Sequence, residues 1–84
     1  MRLTLRYFGA LRDRLGREAE DRDIADVTTA GAAIDALVEQ DSTLASALLD
    51  FPRARYAINQ RFATRTALLA DGDELAIFPP VTGG

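Results

Sequence analysis

With 84 residues the chain can close one small hydrophobic core, and its 48% hydrophobic and 27% charged residues are the balance of a folded protein. The net charge of −3, with acidic residues crowded between Glu18 and Asp26, would repel a phosphate backbone, so nucleic acid is not an expected partner. The sequence contains no cysteine and no histidine, which excludes disulfides, thiolate nucleophiles and the usual zinc ligands. All ten cationic side chains are arginines, so no side-chain amine is available for acylation.

No apolar run approaches the roughly 20 residues that cross a bilayer. The segment from Met1 to Arg6 alternates between apolar and polar residues instead of forming the apolar centre of a signal peptide. We therefore expect a cytoplasmic protein.

Three elements are predicted in the first third of the chain. The alternation from Arg2 to Phe8 predicts a half-buried strand. The segment from Ala10 to Leu15, closed by Gly16, predicts a short helix. A second, more polar strand is predicted from Glu18 to Ile24.

Two helices are predicted next. The main helix follows a cap at Thr28 or Thr29, and its apolar residues recur at the spacing of one helical face: Ala30, Ala33, Ile34, Leu37 and Val38. A shorter helix is predicted to start at Ser42 or Thr43 and to end before Pro52. Its leucines are expected to pack in the core: Leu44, Leu48 and Leu49.

The remaining pattern predicts two strands and two turns. Arg55 to Ile58 reads as a short strand and is followed by a turn at Asn59-Gln60. A tight turn at Asp71-Gly72-Asp73 leads into the last strand, Glu74 to Phe78. The order β, α, β, α, α, β, β predicts an α+β protein in which one main helix packs on a small mixed sheet.

The last six residues, PPVTGG, cannot continue an ordinary strand, because two prolines in succession lack amide donors. We expect residues 1–78 to form the domain and residues 79–84 to form an extended tail, which could reach on the order of 20 Å. The glycines Gly83 and Gly84 have no side chains, so the end of the tail is thin enough for a narrow channel.

The chemistry open to such an end is limited. A terminal carboxylate is ionised at neutral pH and can attack the α-phosphate of a nucleoside triphosphate held by another enzyme. Gly84 would then be a mixed anhydride, open to an amine, a thiol or a persulfide, while the partner supplies the acid, base and metal. The chain is therefore predicted to be a non-catalytic carrier.

A family resemblance rests on the ending DGDELAIFPPVTGG, from Asp71 to Gly84. This segment is similar to the ending of the small subunits of molybdopterin synthase, the MoaD-type ubiquitin-like sulfur carriers. The likeness extends to the segments Tyr7 to Arg12 and Ile58 to Gln60. The resemblance implies a ubiquitin-like β-grasp fold.

In that family the terminal glycine is adenylated by an activating enzyme that uses ATP and resembles the first enzyme of ubiquitin transfer. It is then converted to a thiocarboxylate with sulfur from a donor. The loaded tail enters the large synthase subunit, which carries the catalytic residues, and sulfur passes to cyclic pyranopterin monophosphate in molybdenum cofactor biosynthesis. Two small subunits flank a dimer of large ones, a heterotetramer, and the resemblance implies no stably bound cofactor and no metal.

The resemblance also implies roles for particular residues. Gly84 would carry the sulfur, and Gly83 would be its slim neighbour. The tail stem inserted into the partner would be Pro79, Pro80, Val81 and Thr82. An apolar patch facing the partner would be Phe8, Phe62 and Phe78, each of which could instead be a core residue.

Two alternatives remain. A carrier of the same kind could deliver sulfur for thiamin, cysteine or transfer-RNA modification, and the di-glycine ending alone does not separate these pathways. A stand-alone enzyme could use Asp71, Asp73 and Glu74 as a metal or acid–base cluster. The full calcium-loop pattern is missing there, and a tight turn explains these residues better.

Overall fold

A computed structural model describes residues 1–80 of the chain. In these residues five strands form one mixed sheet, and three helices pack against it. The strands are β1 (Arg2–Tyr7), β2 (Ala19–Asp23), β3 (Arg55–Ile58), β4 (Arg61–Ala63) and β5 (Glu74–Phe78). The helices are α1 (Gly9–Leu15), α2 (Ala30–Gln40) and α3 (Ser42–Leu49).

The strands lie in the order β2-β1-β5-β3-β4, so the first and last strands of the chain are neighbours in the middle of the sheet. Strand β5 runs parallel to β1, with Leu75 opposite Leu5, and antiparallel to β3, with Ala76 opposite Ala57. The other two pairings are antiparallel. The predicted α+β architecture, helix on mixed sheet, is confirmed.

The alternation read in the first strand places Leu3, Leu5 and Tyr7 on one face, where all three are fully buried. The helices supply the other side of the same core through Leu11, Ile34, Leu37 and Leu44, among others. Each buried leucine or isoleucine contributes roughly 1.5–3 kcal/mol of transfer free energy, so this face holds the helices to the sheet.

Strand β4 was missing from the predicted order. It has three residues, and it forms because the chain reverses at Asn59 and Gln60, whose φ angles are 50° and 69°. A two-residue connection with both φ angles positive matches the twist of a β-hairpin, so β4 pairs back onto β3. The sequence indicated the turn, but a three-residue strand with an exposed central residue carries little pattern of its own.

The caps of the helices partly differ from expectation. Thr29 caps α2, its hydroxyl accepting a hydrogen bond from the Ala32 amide at 3.2 Å. Helix α3 starts at Ser42, as predicted, and its cap is the preceding residue, Asp41, whose side chain accepts from the Leu44 amide at 3.0 Å. Leu49, expected in the core, is 81% exposed at the end of α3.

Asp41 also connects the helices to the β2 edge of the sheet. It accepts hydrogen bonds from Nη1 of Arg17 at 2.6 Å and from Nη1 of Arg22 at 3.0 Å. The Arg17 bond, with those from the Leu44 amide and Arg22, holds the pKa of Asp41 well below its usual range against the opposing effect of burial. The charged side chain of Arg22 in β2 therefore helps to hold the helices to this edge of the sheet.

In the part of the chain that the structure describes, no helix is long and apolar enough to span a membrane. The cytoplasmic location and the division into a domain 1–78 and a tail 79–84 stay predictions.

Candidate functional site

The described part of the tail stem begins at the centre of the sheet. Strand β5 lies between β1 and β3 and ends at Phe78, after which Pro79 and Pro80 leave the ladder. Because β5 is hydrogen-bonded on both sides, the point of exit is held by two neighbouring strands. The tail therefore starts from a fixed position on the molecule.

Pro79 is held further by the turn between β1 and α1. Gly9 adopts a φ of +59°, and a Cβ built on it would lie 3.4 Å from Cγ of Pro79. The preceding amide, of Phe8, donates to the carbonyl of Ile77 at 3.3 Å. The absence of a side chain at Gly9 permits the left-handed conformation that brings this backbone beside the proline ring.

The three phenylalanines predicted to face a partner lie on the sheet face that points away from the helices. The rings of Phe62 and Phe78 have centroids 5.8 Å apart at an interplanar angle of 55°. Phe62 is 84% exposed and Phe8 is 39% exposed, and none of the three phenylalanines belongs to the buried core. We call this surface the open face, defined by Phe8, Phe62 and Phe78 with Ala57 and Ala76 between them.

The open face has the form of a shallow depression of about 490 Å³. Ala57 and Ala76 lie opposite each other in the register of β3 and β5, and their small side chains form its floor. Phe62 lies opposite Ala57 on the other side, so a ring rises beside the floor. The depression therefore exposes an apolar floor, the kind of surface found in the core of protein interfaces.

One rim of the depression is charged. The guanidinium carbon of Arg6 lies 5.2 Å from the ring centroid of Phe8, within cation–π range. Nη1 of Arg6 lies 3.8 Å from Oε1 of Glu74. A polar border of this kind around an apolar floor is typical of protein interfaces.

The structure places some of the predicted site residues and not others. Phe8, Phe62 and Phe78 line the open face, Pro79 follows Phe78 and lies against Gly9, and Pro80 comes next. The predicted roles of Val81, Thr82, Gly83 and Gly84 fall outside the described residues. The contribution of Arg6 was missed in the sequence, where the available signal was its alternation with Phe8 along the segment Arg2 to Phe8.

The aspartates of the turn before β5, Asp71 and Asp73, accept hydrogen bonds from backbone amides. Oδ1 of Asp71 accepts from the Arg2 amide at 2.6 Å, and Oδ2 of Asp73 accepts from the Ala70 amide at 2.8 Å. Gly72, at φ +88°, completes the turn. Within residues 1–80 no group of histidine, cysteine or acidic side chains could hold a metal ion. These contacts favour the tight turn over a catalytic cluster.

A helix packed on a mixed sheet whose parallel first and last strands are central neighbours defines a ubiquitin-like β-grasp fold. Residues 5–84 match the model of the ThiS family. The chain belongs to the ThiS family, which confirms the resemblance predicted from its ending.

Relatives of known name cover nearly the whole chain. It is 37% identical to the molybdopterin synthase sulfur carrier subunit of Escherichia coli, over 93% of this chain and 94% of that protein. It is 31% identical to the protein of the same name from Mycobacterium tuberculosis, over 100% of this chain and 99% of that one. Among solved structures, SAMP1 from Haloferax volcanii has a TM-score of 0.78 and 31% identity, covering 100% of both chains.

Proposed function

We propose that this chain is the sulfur carrier subunit of a molybdopterin synthase. The observation that carries the proposal is the 37% identity to a curated carrier subunit over nearly the full length of both proteins. The same name is borne by the relative that is 31% identical over 100% of the chain. Both relatives favour this pathway over sulfur delivery for thiamin, cysteine or transfer RNA.

The chemistry takes place at Gly84. Its carboxylate attacks the α-phosphate of ATP bound to an activating enzyme, forming an acyl adenylate and releasing pyrophosphate. Hydrosulfide supplied by a sulfur donor then attacks the acyl carbon, AMP leaves as the C–S bond forms, and the terminus becomes a thiocarboxylate. The sulfur is delivered to cyclic pyranopterin monophosphate, while the catalytic residues lie on the large subunit.

The described residues support this division of labour. The rigid exit at Pro79 and the open face at Phe62 and Phe78 provide a place for a partner to hold the chain beside its tail. A carrier needs a presented end and a docking surface, and it needs no acid, base or metal of its own. The large subunit is the partner to which the docking surface is assigned, in a heterotetramer with two copies of each chain.

The test is intact mass spectrometry of the chain produced with its activating enzyme, ATP and a sulfur donor. We expect a mass gain equal to the replacement of one oxygen by sulfur, located on the terminal peptide. Deletion of Gly84 serves as the control, and it should remove the gain without changing the thermal unfolding of the domain. Loaded protein should then convert the pterin precursor when mixed with the large subunit; loading without that conversion would favour another sulfur pathway.

A further inference from the structure

The charges of this acidic protein are distributed unevenly. Between Phe51 and Ala70 the sequence contains four arginines and no acidic residue. These arginines lie in or beside β3 and β4, at one edge of the sheet. Strand β2, at the opposite edge, carries Glu20, Asp21 and Asp23. One edge is therefore positive in a chain whose net charge is −3.

The arginines of this edge also differ from the others in their partners. Elsewhere in residues 1–80, the arginines form ion pairs with carboxylates: Arg2, Arg6, Arg12, Arg14, Arg17 and Arg22. We call the edge with β3 and β4 and the four arginines in or beside them the basic edge. On it Arg65 pairs with Asp35 at 2.8 Å. Among the described residues, no carboxylate pairs with Arg53, Arg55 or Arg61. The positive charges of these three arginines are thus not compensated by ion pairs within residues 1–80.

Arg55 occupies a particular place in this region. In the register of the sheet it lies opposite Phe78, the last residue of β5 before the tail stem. It alternates with Ala57, so it belongs to the side of the sheet that carries the open face. Arg53 precedes it by two residues, whereas Arg61 pairs with Ile58, roughly 10 Å further along the hairpin.

We propose that Arg55, assisted by Arg53, binds carboxylates of the protein that receives the tail. The inference rests on the proposed function, which makes that protein the large synthase subunit. Any partner that takes up the residues beyond Phe78 must come close to Arg55. A guanidinium without an internal partner can bind a carboxylate in bidentate fashion, and such a pair fixes orientation as well as position.

The charge distribution explains why the contact would act on the rate of association. An acidic partner surface is repelled by most of this chain and attracted by its basic edge. During approach the chain is therefore oriented with its basic edge towards the partner. The occupant is a protein carboxylate rather than a nucleic acid. A phosphate backbone needs a longer basic stripe, and within residues 1–80 two arginines that form no ion pair with a described carboxylate lie at the tail end of the hairpin.

The test measures association of the full chain with the large synthase subunit by stopped flow at several salt concentrations. Relative to the unaltered chain, R55Q should slow association about threefold and R53Q/R55Q roughly tenfold at low salt, with a shallower salt dependence. The matched control is R2Q, which removes the same charge from the same sheet face beside Asp23, far from the tail. It should change the rate less than about twofold. Thermal unfolding of each variant confirms that the fold is kept.

Several outcomes would overturn the inference. If R55Q and R2Q slow association equally, only net charge matters; if neither slows it, the basic edge has no role in docking. A fluorescent oligouridine that binds the unaltered chain but not R53Q/R55Q, with protein association unchanged, would assign the edge to nucleic acid. Failure of the unaltered chain to bind the large subunit at all would refute the proposed function itself, which is a different result.

Discussion

Pro79 lies directly against Gly9, so that the first residue of the tail stem and the first residue of α1 fix each other's positions. The distance from a Cβ built at Gly9 to Cγ of Pro79 is 3.4 Å, so the two residues lie within van der Waals reach of each other. The contact joins residues 70 positions apart in the sequence. It determines where the tail starts, and it can be tested separately from the stability of the fold.

The substitution G9A should disturb the tail more than the domain. Alanine at φ +59° costs about 1–2 kcal/mol of unfolding free energy, and relief of that strain would shift the backbone against which the Pro79 ring packs. The control is G16A, where φ is +71° and no described neighbour comes within 4 Å of the added Cβ. Urea unfolding should show similar losses for both. Only G9A should weaken binding to the large subunit; equal binding of the two variants would mean that this contact does not orient the tail.

The open face can be tested with F62S. Phe62 is 84% exposed, so its loss should lower the free energy of unfolding by no more than about 1 kcal/mol, mainly through the Phe78 ring contact. A buried aromatic anchor in a complex is worth about 2 kcal/mol, so the affinity for the large subunit should fall roughly 30-fold. Isothermal titration calorimetry gives both the affinity and the stoichiometry.

The matched control for F62S is L49S, which replaces another exposed apolar residue, 81% exposed, on the helical side of the molecule. Its affinity should stay within about twofold of the unaltered chain, as expected for a surface substitution outside the interface. Loss of affinity in L49S but not in F62S would move the docking surface to the helices.

The substitution G31A tests a close approach that helix propensity alone would misjudge. Alanine is favoured over glycine inside a helix by about 1 kcal/mol. Here, however, a Cβ at Gly31 would lie 3.0 Å from Cβ of Arg65 and 3.1 Å from its carbonyl oxygen. Overpacking of this kind costs roughly 1–3 kcal/mol, so we expect G31A to be less stable by about 1 kcal/mol. Urea unfolding measures the sign, and a more stable G31A would show that the loop at Arg65 yields freely.

Much of the fold could be predicted from local pattern. Strand β1 and helix α2 each bury one face. Apolar residues therefore recur in the sequence at the spacing of that face, every second residue in β1 and every three or four residues in α2. Strand β4 could not be found this way, because its residues become a strand only through pairing with β3. Asp41 was missed as a cap because its neighbours Ser42 and Thr43 have the same local propensity, and the arginines that select it come from β2 and the segment before it.

The candidate site was predictable to a similar extent. The ending of the chain carried the family resemblance, and that resemblance implied the tail and the partner-facing roles of Phe8, Phe62 and Phe78, which stay predictions. The register that places Arg55 beside Phe78, and the turn that places Gly9 against Pro79, depend on pairings between distant segments. Contacts between distant segments leave no periodic pattern in a single sequence, so these two relationships could not be predicted from it.

The pH dependence of stability should trace to Asp41. Its side chain is 10% exposed, and its hydrogen bonds from Arg17, the Leu44 amide and Arg22 hold its pKa well below the usual value near 3.9. Since the unfolded chain then binds a proton more readily than the folded one, the contribution of Asp41 is complete above about pH 5 and is lost as pH falls below about 4.

Asparagine can still cap α3, so D41N removes the charge and keeps the cap. At pH 7 it should cost about 2 kcal/mol, the value of hydrogen bonds to a charged group, and it should flatten the acid limb of the stability curve. The control D50N removes an exposed carboxylate paired with Arg14 and should cost at most about 1 kcal/mol, leaving the acid limb steep. Urea unfolding between pH 3 and pH 7 measures all three curves; identical acid limbs for D41N and D50N would assign the acid sensitivity to other carboxylates.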